Sequence, residues 1–123
     1  MIRFVYGVLP ALVIYTDKMR RPQSTGGYAK GFCIKIRAKH RYDTGLLEHE
    51  LTHVKQWYRT LSLHSFLYMC SKWYRKISET EAYRVQLKYA KNREKAIERF
   101  ANAMVDKYKL GITVEEARRL LTK

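Results

Sequence analysis

An α+β fold is what this sequence predicts: a small N-terminal β-sheet packed on one helix at about residues 44 to 60, then a mostly helical C-terminal half. Three observations point there. Residues 2 to 39 carry short runs of β-branched and aromatic side chains, punctuated by Gly7, Pro10, Gly26 and Gly27. From residue 44 the apolar spacing changes to threes and fours, the period of a helix. Helix-start and helix-stop signals then recur as Ser78-x-x-Glu81, Gly111 and Thr113-x-x-Glu116.

Residues 2 to 6 and 11 to 16 read as two short strands, or as a strand and a short helix. Residues 17 to 27 are polar, end in Ser24-Thr25-Gly26-Gly27, and read as a loop. Tyr28 to Lys39 alternates, with Phe32, Ile34 and Ile36 on one side and Cys33, Lys35 and Arg37 on the other, which predicts one half-buried strand. Leu47, Leu51, Val54, Tyr58 and Leu61 then form a helical stripe, with Asp43 or Thr44 as its cap. Leu61 to Lys76 carries Leu63, Phe66, Leu67, Met69, Cys70, Trp73 and Tyr74, and predicts a second, well-buried helix. The capping box at Ser78 and Glu81 opens a third, running through Phe100 and Tyr108 with or without a break at Asn92. Gly111 ends it, and Thr113 caps a last helix over 114 to 122.

One stretch carries chemistry. His49-Glu50-Leu51-Thr52-His53 reads H-E-x-x-H. On a helix, His49 and His53 lie one turn apart on one face, off the main apolar stripe, where two imidazoles can grip one zinc ion. Glu50 lies beside them, placed to handle a water molecule without being a ligand.

The stretch resembles the zinc metallopeptidases called zincins. Glu79-Thr80-Glu81-Ala82-Tyr83 resembles the glutamate-bearing helix of the gluzincin branch, so the resemblance covers roughly residues 28 to 90. No G-x-x-H follows His53, which departs from the metzincin pattern. The resemblance implies one Zn2+ per chain, held by His49, His53 and a glutamate, with Glu50 as general base toward a zinc-activated water in peptide-bond hydrolysis. The strand at 28 to 39 then matches the cleft rim, where an extended substrate adds by backbone pairing, or is a plain sheet strand. For the third ligand, Glu79 is favoured over Glu81: a capping box would fold Glu81 back on Ser78, and Ala82 stands three residues after Glu79. Tyr83 replaces the aspartate of thermolysin-like enzymes; its phenol could orient a histidine, stabilise an oxyanion, or simply pack. Tyr28, Tyr58, Tyr68 and Tyr74 are further oxyanion candidates, and His40 and His64 are spare histidines.

The 123 residues suit a single domain spanning 1–123, and 46% hydrophobic content with ten tyrosines argues against disorder. A net charge of +14 favours acidic partners: an acidic peptide or protein substrate, nucleic acid, or an anionic surface. The basic residues are scattered, as on a solvated surface, which disfavours specific nucleic-acid binding. Cys33 and Cys70 make neither a disulfide framework nor a C-x-x-C pair. The apolar run from Phe4 to Tyr15 is too short to span a bilayer and lacks a signal-peptide cleavage site, so the expected location is cytoplasmic. The alternatives to a peptidase are a non-catalytic basic binding protein that keeps the metal fold, and a non-peptide amidase. An intact Glu50 argues against a mere scaffold.

Overall fold

A computed structural model describes residues 1–22 and 24–123; residue 23, within the expected 17–27 loop, lies outside them. The fold is α+β. Four strands come first, β1 (Ile2–Val5), β2 (Leu9–Tyr15), β3 (Gly27–Lys30) and β4 (Cys33–Ile36). Five helices follow, α1 (Thr44–Arg59), α2 (His64–Cys70), α3 (Lys72–Leu87), α4 (Arg93–Lys107) and α5 (Val114–Thr122). The sheet order is β1-β2-β4-β3, with β2 and β4 parallel and the two outer pairs antiparallel.

The N-terminal runs form two strands, joined by a turn at Tyr6-Gly7-Val8. The single strand expected over 28 to 39 is instead a hairpin, because Gly31 adopts a left-handed φ of 62° and reverses the chain. Arg37, expected on an outward face, is buried beyond the end of β4. Its guanidinium donates to the carbonyls of Thr25, Asp17, Arg21 and Pro22 at 2.8 to 3.3 Å, which ties the polar loop to the sheet. Such a buried charge persists only when its donors are satisfied.

Asp43 caps α1, its side chain accepting from Leu46 N at 2.9 Å. One face of α1 puts Leu47, Leu51 and Val54 against Val13, Ile34 and Ile36 of the sheet. Each such side chain contributes about 1.5–3 kcal/mol by burial. The stripe stops short of Leu61, which lies past the helix end in an exposed turn. The opposite face of α1 packs on α3. There, a Cβ added at Gly45 would meet Gln86 Cγ at 3.2 Å, so a side chain larger than hydrogen would crowd the crossing. Beyond α3 a second core gathers Leu87, Phe100, Met104, Leu110 and Leu121 from α3 to α5.

The well-buried helix expected over 61 to 76 does not form. The short α2 buries none of its residues, and Phe66, Met69 and Trp73 are exposed. The chain bends at Ser71, which has extended φ and ψ and caps α3 by accepting from Tyr74 N at 3.1 Å. The Ser78 capping box is therefore also overturned, since Ser78 lies buried in the middle of a helix that began at Lys72. The long third helix breaks after Leu87, and Asn92 caps α4 by accepting from Lys95 N. Thr113 caps α5 over 114 to 122 as its sequence signature predicts.

Candidate metal centre

His49 and His53 project from the face of α1 that meets α3, and Glu79 projects from α3 between them. All three are buried, and one ligand atom from each lies within 4.8 Å of the others, so the cluster could hold a metal ion. Glu79 Oε1 is 3.4 Å from His49 Nε2 and 3.3 Å from His53 Nε2. It is fully buried and, among the described residues, accepts no hydrogen bond. That oxygen is left to the two imidazoles, as ion-pair partners when they are protonated, or to an ion between them. Zinc held at about 2.0–2.2 Å from each ligand would give tetrahedron edges of roughly 3.3–3.6 Å, so the two edges that meet at Glu79 have the length such an ion requires.

The neighbours hold the ligand atoms toward that point. His53 Nδ1 is 2.9 Å from Gln56 Oε1. Gln56 Nε2 donates to Ser78 O at 3.1 Å and Glu81 Oε1 at 2.8 Å, so Gln56 Oε1 is the acceptor and His53 Nδ1 must carry the proton. Once His53 loses its second proton, the neutral ring therefore presents its lone pair at Nε2. Ser78 Oγ stands 3.2 Å from the same Nδ1 and donates to Gln56 Oε1 at 2.6 Å. Glu81 also pairs with Arg59 at the surface. Ser78 and Glu81 thus share one task after all: they fix the glutamine that fixes His53. Tyr68 reaches in from α2 and donates to Glu79 Oε2, leaving Oε1 free to face the histidines.

Charge follows from this geometry. Burial pushes His53 down, but the Glu79 carboxylate outweighs it and raises the imidazole to about 9. Burial pushes Glu79 up, and the His53 and His49 charges more than reverse it, holding the carboxyl well below the usual carboxylate range. Burial raises Glu50, countered in part by His49 and His53. An upward shift makes a carboxylate a stronger base, the direction general-base work needs.

Tyr83 packs its ring edge-on to His49, with centroids 4.4 Å apart, and its hydroxyl meets that of Tyr108 at 2.8 Å. His64 caps the other side, its ring 5.8 Å from that of His53 and its Nδ1 2.7 Å from the Tyr74 hydroxyl. Burial pushes His64 down to about 4, with the nearby His53 adding to the shift. His40 ends a short 3-10 helix, Ala38–His40, beside Gly26. Tyr58 bonds the Pro10 carbonyl, and Tyr28 stacks with Arg21. A cleft of about 200 Å3 opens over Gln56, Ser78 and Glu81, on the Nδ1 side of His53.

Sequence reasoning missed Gln56 and could not rank Tyr68. Gln56 had a readable signal, since it stands three residues after His53 on the same helical face. No known family model, curated protein or solved structure matches the chain.

Proposed function

We propose that this chain is a zinc-dependent hydrolase of peptide bonds, with His49, His53 and Glu79 holding the ion and Glu50 as general base. The observation that carries this reading is the buried Glu79 oxygen facing two imidazole nitrogens at 3.3–3.4 Å, with buried Glu50 alongside. Structural zinc sites are commonly closed by four ligands and rich in cysteine; three nitrogen and oxygen donors leave a position for water and substrate. When bound, zinc acidifies water and polarises the scissile carbonyl. Glu50 takes the proton from the attacking water and passes it to the departing amine.

β3 supports the reading. It is an edge strand that runs beside α1, with Gly26 against Leu46 near the helix start and Gly31 against Trp57 near its end. An extended peptide can pair with it and so lie along the metal helix. The charge of +14 favours acidic substrates. The free thiols of Cys33 and Cys70 favour a reducing compartment such as the cytoplasm.

Glu50→Gln tests the proposal. The variant is expected to keep one zinc per chain by elemental analysis and to lose roughly 10²–10⁴ in peptide turnover. Turnover near the parent level would move the base elsewhere. Absence of zinc from the parent protein, even after incubation with it, would remove the reading altogether.

A further inference from the structure

Three turns meet at the end of the molecule where α1 finishes. Two precede the neighbouring parallel strands β2 and β4: Tyr6–Val8 and Gly31–Phe32. The last turns of α1 reach both, with Lys55 Nζ 5.9 Å from the Tyr6 ring and Trp57 6.2 Å from the Phe32 ring. The third turn, Leu61 to Leu63, follows α1 and folds back on it, Ser62 N donating to Trp57 O at 2.9 Å.

Each turn exposes large apolar side chains: Tyr6 is 54% exposed, Val8 74%, Phe32 42%, Leu61 85% and Leu63 58%. Tyr6 and Leu61 hold left-handed φ angles of 52° and 50°. Glycine or asparagine fits such positions without strain, so bulky apolar residues stand there against local preference. No aspartate or glutamate occurs from Val5 to Pro10, from Lys30 to Ile34, or from Leu51 to Ser78. Lys30 and Lys55 flank the turns, and Arg59 beside them is paired with Glu81.

We infer that this end of the molecule docks on the surface of an anionic lipid bilayer, inserting the tips of the three turns. Apolar tips with basic residues around them and no acid among them match the interfacial region of such a membrane. Docking at an interface requires no spanning segment, and among the described residues no helix is long and apolar enough to cross a membrane. The inference is independent of the hydrolase reading.

Co-sedimentation with vesicles tests it. The intact chain is expected to bind vesicles of mixed phosphatidylglycerol and phosphatidylcholine at physiological salt, to bind pure phosphatidylcholine far less, and to weaken as salt rises. The double variant Val8→Ser with Leu61→Ser alters two surface residues, so its circular dichroism should match the parent. It should bind the anionic vesicles about a hundredfold more weakly, about tenfold for each apolar tip. Failure of the parent to bind anionic vesicles overturns the inference. So does binding that survives in the double variant, which would leave only diffuse charge attraction. Self-association by sedimentation velocity that the same variant abolishes would assign the surface to a second copy of the chain instead.

Discussion

Glu79 and Glu81 stand two positions apart on α3 and serve the same imidazole from opposite ends. Glu79 faces His53 Nε2 directly, whereas Glu81 acts on Nδ1 through Gln56. Two helical positions differ by about 200° in direction, so both carboxylates cannot reach one ion. Glu79→Ala is therefore expected to abolish tight zinc binding, as is replacement of either histidine by alanine. Gln56→Ala should weaken zinc by about 10–100-fold, since the His53 ring loses the partner that fixes its proton. Glu81→Ala should keep the ion, because Gln56 still donates to Ser78 O. Competition titration against a chromophoric chelator ranks the five variants; tight zinc in Glu79→Ala, or its loss in Glu81→Ala, would reverse the assignment. The two histidines and Glu50 were legible because helical spacing alone puts them together. Tyr68 was not, because its approach to Glu79 depends on where α2 folds.

At the scale of elements, the S-x-x-E pattern marks Ser78 as the start of a helix, yet the serine seven residues earlier is the one that begins α3. Ser71 is the cap and Ser78 lies two turns further along the same helix, where its hydroxyl serves Gln56. The S-x-x-E pattern does not record whether the chain before it is already helical, so it misled. Ser71→Ala should cost about 0.5–2 kcal/mol in denaturant unfolding while leaving zinc affinity unchanged. Ser78→Ala should do the reverse in emphasis, lowering zinc affinity with His53 less firmly oriented. Equal effects of the two substitutions on zinc would contradict this division of roles. Strand and helix order were legible from period and punctuation. The β3–β4 hairpin and the exposure of α2 were not: alternation continues across Gly31, and the apolar residues of α2 have a helical look without a surface to pack on.

For the molecule as a whole, the centre couples stability to pH in two senses. Without metal, His53 has a folded pKa of about 9 against an ordinary 6.5. Its stabilising contribution is therefore complete below 6.5 and lost as pH rises through about 9. Glu79, held below its ordinary 4.5, contributes above that value and loses its effect in acid. On the proposed reading zinc needs His53 neutral, so loading would expel a proton below pH 9, and affinity would rise with pH over the range where the metal-free fold weakens. The melting-temperature gap between zinc-loaded and stripped protein should thus widen from pH 6.5 to 9. A constant or narrowing gap would show that His53 is not a ligand.

Gly45 gives the α1–α3 pair one point of close approach, near the start of α1 and the end of α3. A second fixed distance lies toward the other end of the pair, where Gln56 Nε2 donates to Ser78 O and Glu81 Oε1. On α1 the ligand set, His49 and His53, sits between Gly45 and Gln56, with Glu79 facing it from α3. Rods held at two places cannot scissor, so the crossing angle of the two central helices is a property of the chain itself, and the span offered to an ion is set before one arrives.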